Sequence, residues 1–115
     1  MKDLLRIANA GGYWGDDLHQ FRRQIELGPI DVLTLDFLAE ITMSIMQKQR
    51  ARDPRAGFAR DFVAQVEETL ELLVARDVTV ITNAGGVNPL ACREALIAMA
   101  ARHGHDLDVA AVVGD

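Results

Sequence analysis

Residues 78–89 decide the fold, and their sequence is Val-Thr-Val-Ile-Thr-Asn-Ala-Gly-Gly-Val-Asn-Pro. The run at residues 78–82 predicts a strand, because β-branched side chains fit a pleated surface. Residues 83–86 end that strand. Asn88 followed by Pro89 predicts the start of a helix, since proline at the first helical position has no N–H to leave unpaired. This stretch therefore predicts a strand, a loop and a helix in succession, the repeating unit of a parallel α/β fold.

The same unit recurs along the chain. Further short apolar runs predict strands at residues 4–10, 31–35 and 108–113. Apolar side chains at helical spacing predict helices over residues 16–27, 38–52, 58–76 and 88–103. The resulting order is βα, βαα, βα, β. It predicts an α/β fold with a small parallel sheet flanked by helices, in a Rossmann-like three-layer arrangement with right-handed crossovers.

Length and composition restrict the class of protein. The 115 residues predict one α/β domain over residues 1–115, and 50% hydrophobic residues exclude a disordered acidic tail. A net charge of −5 argues against a nucleic-acid partner, which would need a basic surface. The single cysteine, Cys92, fits a reducing cytoplasm. No apolar run approaches the roughly 20 residues of a membrane helix, and the first residues lack a secretory signal. We therefore expect a cytoplasmic protein without a nucleic-acid or membrane partner.

The tetrapeptide Asn-Ala-Gly-Gly occurs twice, at residues 9–12 and 83–86. Each copy follows a predicted strand and precedes a predicted helix, the position where parallel sheets bind ligands. Paired glycines let a ligand approach the backbone, and the N–H groups there favour anions. Two interpretations stay open: the loops bind an anion or a thioester oxygen, or glycine merely permits two turns.

Two acidic residues and one aromatic residue complete the candidate site. Asp36 ends the second predicted strand, and Glu40 lies about one helical turn further on. Either one carboxylate acts as a general base with its pKa raised by the other, or Asp36 caps a helix and Glu40 is a solvated acid favoured by the helix dipole. Trp14 either lines an apolar pocket or packs as a lid. The predicted catalytic residues are Asp36 and Glu40. The predicted ligand-binding residues are Asn9, Gly11, Gly12, Trp14, Asn83, Gly85, Gly86 and Asn88. No metal site is predicted, because the histidines lack useful spacing.

One basic cluster interrupts this acidic chain. It consists of Lys48, Arg50, Arg52, Arg55 and Arg60. It either meets an anionic group such as a nucleotide phosphate or forms the solvated ends of two helices.

A dinucleotide-binding domain is a further alternative. The pattern Ala10-x-Gly12-x-x-Gly15 is one substitution from the Gly-x-Gly-x-x-Gly fingerprint, and Asp36 stands where a ribose-binding acid would lie. The first glycine is missing, however, and two aspartates that follow the loop would repel phosphates.

Several blocks of the chain resemble the acyclic terpene utilisation (AtuA-type) family. They are Arg-Ile-Ala-Asn-Ala-Gly-Gly-Tyr-Trp-Gly-Asp at residues 6–16, Asp-Phe-Leu-Ala-Glu-Ile-Thr-Met at 36–43, Arg-Ala-Arg-Asp-Pro at 50–54 and Thr-Asn-Ala-Gly-Gly-Val-Asn-Pro at 82–89. Shorter matches lie at residues 28–33 and 113–115. Together the blocks follow the family's order over nearly the whole chain.

The resemblance implies a role in the breakdown of acyclic terpenes such as citronellol and geraniol, a route through CoA thioesters. It implies acyl-CoA or carboxylic-acid catabolism, with a CoA thioester or a small carboxylic acid as the ligand. It identifies no cofactor. Family members are longer than this chain, so we expect it to be their N-terminal portion, forming a homo-oligomer or associating with a C-terminal region. A non-catalytic binding or assembly domain is the competing interpretation, and the sequence leaves both classes open.

Overall fold

The computed structural model describes residues 3–11, 19–38 and 40–114. Its strands are β1 (Ile7–Asn9), β2 (Val32–Leu35) and β3 (Thr79–Thr82). Its helices are α1 (His19–Leu27), α2 (Glu40–Arg52), α3 (Arg60–Arg76) and α4 (Pro89–Arg102). The predicted α/β fold, a small parallel sheet flanked by helices, is therefore confirmed.

The three strands lie in the order β1-β2-β3, and each neighbouring pair is parallel. Alternate residues of β2 are buried, with Leu33 and Leu35 in the core. The opposite face of the sheet carries apolar side chains in solvent, since Ile7 is 61% and Ile81 59% exposed. The Rossmann-like, three-layer part of the prediction accordingly stays a prediction.

The core is built from the apolar stripes of the helices. Phe62, Val66 and Leu70 of α3 are all buried, as their helical spacing predicts. Phe62 meets the ring of Phe21 from α1 at 6.3 Å and the ring of Phe37 at 5.8 Å, both edge to face. This aromatic cluster joins α1, α3 and the segment that follows β2, and so fixes the end of that strand against the core.

The helix ends follow the predicted stop signals. α2 ends at Arg52, before the Asp53-Pro54 pair, because the residue before proline avoids the helical region. α4 ends at Arg102, and Gly104 follows with a φ of 78°. The Gly104 N–H donates to the Ala101 carbonyl and the His105 N–H to the Ala100 carbonyl, which completes a Schellman motif.

Two strand predictions are corrected by the structure. Residues 108–113 form no strand: Val112 is 95% exposed, and the Val109 carbonyl accepts a hydrogen bond from the side chain of Arg93. β-branched residues favour a strand only where a neighbouring strand and a buried face exist. The first strand is also shorter than residues 4–10 and is not buried, because β1 lies at the edge of the sheet and Leu4 and Leu5 are exposed.

Candidate functional site

The segment that leaves β2 is held between the two Asn-Ala-Gly-Gly copies. On one side, the Asp36 N–H donates to the Gly11 carbonyl at 3.3 Å. On the other side, Asn83 Nδ2 donates to Asp36 Oδ1 at 2.7 Å, and Asn83 Oδ1 accepts from the Phe37 N–H at 2.8 Å. The structure thus brings Gly11, Asp36 and Asn83 together at the carboxyl ends of the strands, where parallel sheets bind ligands.

The two copies of the repeat are not at equivalent positions in the sheet. Asn9 pairs with Thr34, and Thr34 pairs with Ile81, so Asn9 lies level with Ile81. Asn83 comes two residues later, about 7 Å further along the strand direction. The side chain of Asn9 consequently binds groups near its own level in the sheet. Its Nδ2 donates to the Gly11 carbonyl at 3.2 Å, and its Oδ1 accepts from Thr34 Oγ1 at 3.2 Å. Only the second asparagine reaches Asp36.

Hydrogen bonds lower the pKa of Asp36. The amide of Asn83 is the main cause that lowers the pKa of Asp36, and the Leu38 N–H, 3.0 Å from Oδ1, adds to it against a small effect of burial. The prediction of a raised pKa is therefore wrong for Asp36, because donors rather than a second carboxylate surround it. Glu40 is exposed at the start of α2. Both described bonds to the Asp36 carboxylate use Oδ1, so Oδ2 is available to a ligand.

The second glycine loop is closed by its own hydrogen bonds. Four of its backbone N–H groups are bound within the chain: Ala84 to Thr82 Oγ1, Gly86 to the Asn83 carbonyl, Val87 to the Gly57 carbonyl and Asn88 to the Gly85 carbonyl. The N–H of Gly85 is not among them. Within residues 84–88, Gly85 is therefore the residue whose backbone N–H has no hydrogen-bond partner among the described residues.

Packing also accounts for both glycines of this loop. Gly86 has a φ of 57°, and a Cβ there would lie 2.7 Å from the Gly57 carbonyl oxygen and against the sulfur of buried Met46. A Cβ on Gly85 would lie 2.8 Å from the Cα of Pro89. Both positions exclude a side chain for steric reasons, whether or not a ligand binds.

Asn88 occupies the predicted N-cap position of α4, but its side chain does not cap the helix. Its Nδ2 donates instead to the carbonyls of Pro54 and Ala56, each at 2.8 Å. The predicted side-chain cap is therefore wrong, because the two bonds from Nδ2 hold the amide group of Asn88 against the loop before α3. Gly12 and Trp14 lie outside the described residues.

Two residues at the site were missed by the sequence analysis, and a third, Arg50, was predicted only as part of the basic cluster. Thr82 Oγ1 donates to the Leu35 carbonyl at 2.9 Å, Phe37 supplies its backbone N–H to Asn83, and Arg50 donates to the Val87 carbonyl at 2.8 Å. Thr82 directly precedes Asn83, and Phe37 directly follows Asp36. The threonine at the end of the predicted strand was a signal that the sequence analysis could have used. Nothing in the spacing linked Arg50 to a residue 37 positions away.

Other candidate chemistry is weak. Among the described residues, no group of three or more His, Cys, Asp or Glu side chains lies close enough together to hold a metal ion. Burial raises the pKa of the Cys92 thiol to about 11, as expected for a core residue rather than a nucleophile. The described helices include none that is both long and apolar enough to cross a membrane.

The fold and the strand ends define an α/β protein with a candidate ligand site at the carboxyl edge of a parallel sheet. A family model described as acyclic terpene utilisation family protein AtuA matches residues 5–115. The chain belongs to this family, as its sequence blocks indicate. No curated protein and no solved structure matches it significantly.

Proposed function

We propose that this chain binds a CoA thioester or a small terpenoid carboxylic acid at the strand ends and serves acyclic terpenoid catabolism. The observation that carries the proposal is the convergence of both glycine loops on Asp36, through the Gly11 carbonyl and the Asn83 amide. Membership of the acyclic terpene utilisation family supports the substrate class.

The polar groups at this edge have complementary roles in the proposal. The ionised Asp36 carboxylate accepts a hydrogen bond or a proton from the ligand through Oδ2. The Gly85 N–H donates to the thioester or carboxylate oxygen, helped by the N-terminus of α4, whose first turn carries no acidic residue. Glu40, exposed at the start of α2, is the second carboxylate within reach of the same edge.

Exposed apolar side chains beside the site fit an acyclic terpenoid chain. Ile41 in the first turn of α2 is 70% exposed, and Leu90 in the first turn of α4 is 58% exposed. Both helices begin just after a strand end, so these side chains lie at the same edge as Asp36 and Asn83. Burial of such surface by a hydrocarbon chain is favourable at roughly 25 cal/mol per Å².

A dinucleotide is the second candidate ligand, and one observation favours it. Asp36 directly follows β2, the strand paired with β1, and an acid at that position binds the ribose in dinucleotide-binding folds. The same ligand screen separates the two candidates.

The test is a thermal-shift screen with terpenoid CoA thioesters, free terpenoid acids, CoA, NAD and NADP. A ligand at a hundred times its Kd stabilises by about 2.7 kcal/mol, which raises Tm by several degrees. We expect a shift with the thioester or acid that Asp36→Asn abolishes. Asp106→Asn is the matched control, because Asp106 is exposed and follows the far end of α4.

The outcomes separate the candidates. A Tm shift with NAD or NADP alone would identify a dinucleotide, and not a thioester, as the ligand of this chain. A thioester shift that survives Asp36→Asn would remove the strand-end site from the proposal. No shift with any ligand would favour a binding or assembly domain whose glycine loops serve packing alone.

A further inference from the structure

Positive charge is concentrated in the connection between α2 and α3. Residues 48–61 contain five cations and two carboxylates, whereas the whole chain has a net charge of −5. Such a local excess against the overall charge attracts an anionic group.

This connection is fixed to the second glycine loop rather than projecting into solvent. Arg50 Nη1 donates to the Val87 carbonyl at 2.8 Å, and the Ala59 N–H donates to the Ala84 carbonyl at 2.8 Å. The Asn88 side chain adds its two bonds to the carbonyls of residues 54 and 56. The start of α4 and residues 53–59 therefore form one rigid surface.

The guanidinium groups on this surface have little compensating negative charge. Arg55 and Arg60 each approach Asp53 only at 3.9 Å, and their side chains are 92% and 70% exposed. Arg50 donates to a neutral carbonyl. Ion pairs so long and so exposed stabilise little, so Arg55 and Arg60 share one weakly engaged carboxylate. Their donors remain available to an anion.

The N-terminus of α4 strengthens the same field. Asn88 makes no side-chain cap hydrogen bond, and the first turn of α4 carries no acidic residue, so the positive partial charge of this helix end adds to the charge of the arginines. The N-terminus of α3 does not, because Asp61 in its first turn offsets its partial charge.

We propose that Arg50, Arg55 and Arg60 form a binding surface for the phosphate groups of the ligand. This inference rests on the proposed function, because it places the phosphate-bearing end of the CoA thioester on this surface while the acyl end of the same ligand lies at Asp36. α2 connects the two regions: Glu40 and Arg50 are ten residues apart, about 15 Å along the helix. A ligand with a long arm between its acyl group and its phosphates matches that separation.

The experiment compares ligands that carry both ends of the CoA thioester, its acyl end alone, or its phosphate-bearing nucleotide end alone. Calorimetry on the 115-residue chain measures the Kd of a terpenoid CoA thioester, the pantetheine thioester of the same acid, and adenosine 3′,5′-bisphosphate. Arg55→Gln and Arg60→Gln are the test variants, since both side chains are exposed, and the Tm of each variant checks that it folds, because Arg60 also lies over the ring of Phe58. Arg23→Gln removes the same charge from an exposed position on α1 and is the matched control.

We expect Arg55→Gln and Arg60→Gln each to weaken binding of both phosphate ligands about tenfold, the effect of one lost charge-assisted hydrogen bond. Binding of the pantetheine thioester should not change in either variant, and Arg23→Gln should bind all three ligands like the parent chain. Raising the salt concentration should weaken binding of the CoA thioester more than binding of the pantetheine thioester.

Two results would overturn the inference: equal affinity for the two thioesters, or equal effects of the test and control variants. Its failure differs from failure of the proposed function. If Asp36→Asn weakens the pantetheine thioester while the arginine variants change nothing, the strand-end site stands and the phosphate surface is rejected. If the arginine variants weaken binding of adenosine bisphosphate but Asp36→Asn changes no affinity, the phosphate surface stands and the strand-end site is rejected. Absence of binding to all three ligands rejects both.

Discussion

The side-chain amide of Asn83 bridges the carboxylate of Asp36 and the backbone of Phe37. Its Nδ2 lies 2.7 Å from Asp36 Oδ1, and its Oδ1 lies 2.8 Å from the Phe37 nitrogen. The ring of Phe37 in turn packs edge to face on Phe62 in the core. One asparagine therefore ties the ends of β2 and β3 together and couples the candidate site to the packing beneath it.

Replacing the two asparagines of the repeat by alanine should have unequal effects. Asn83→Ala removes two hydrogen bonds, one of them to a charged group, and should lower the free energy of unfolding by about 2 kcal/mol. Asn9→Ala removes two hydrogen bonds of 3.2 Å between neutral groups, to Gly11 and to Thr34 of β2, and should cost less than about 1 kcal/mol. Urea denaturation measures both. Equal losses would contradict the different roles assigned to the two copies.

Glu67 should make stability fall at acid pH. A hydrogen bond from His103 is the main cause that lowers the pKa of Glu67, and Arg102 adds to it. A carboxyl group with a lowered folded pKa stabilises above its unfolded pKa of roughly 4.3 and loses that contribution as pH falls through the folded value. Tm measured from pH 7 to pH 3 should therefore drop more steeply in the parent chain than in Glu67→Gln. Parallel profiles would show that the contact between α3 and α4 contributes nothing.

Gly86→Ala should be strongly destabilising. The added Cβ would meet the Gly57 carbonyl oxygen at 2.7 Å, and the backbone is left-handed there. Overpacking and the left-handed conformation each cost roughly 1–2 kcal/mol, so we expect a loss of about 3 kcal/mol. Gly28→Ala is the control, because nothing lies within 4 Å of a Cβ at that position. Thermal unfolding should separate the two variants by several degrees, and similar Tm values would refute the steric argument.

Asp77→Gly should stabilise the chain. Asp77 follows α3 with a φ of 52°, a left-handed conformation that costs an L-residue roughly 1 kcal/mol and glycine nothing. Its N–H bonds to the last turn of α3 do not involve its side chain and would be retained. We expect a gain of up to about 1 kcal/mol by urea denaturation. A loss would mean that the carboxylate of Asp77 makes a contribution of its own.

Local signals in the sequence predicted most of the architecture. The stop at Asp53-Pro54, the start at Pro89 and the end before Gly104 depend on each residue's own backbone preferences, so they hold in the structure. The strand predicted at residues 108–113 fails because its residues have the composition of a strand but no neighbouring strand to pair with. β propensity reflects packing on a sheet, which a local pattern does not contain.

The candidate site was likewise predictable from the sequence only in part. Sequence position alone placed Asp36 and Asn83 at strand ends, and the parallel order of the strands made their proximity predictable. The lowered pKa of Asp36 depends on a two-residue offset between the two asparagines and on which of them reaches it, which only the paired strands define.

By itself, the sequence determined the helices, three of the strands with their parallel order, the family and the edge of the sheet where polar residues gather, because these depend on local preference and on the order of segments. The tertiary structure alone decided that Gly86 lies against Met46, that Asn88 binds the loop before α3, and that Arg50 adjoins the start of α4. These contacts join residues more than 30 positions apart, and their geometry follows from packing around a shared core.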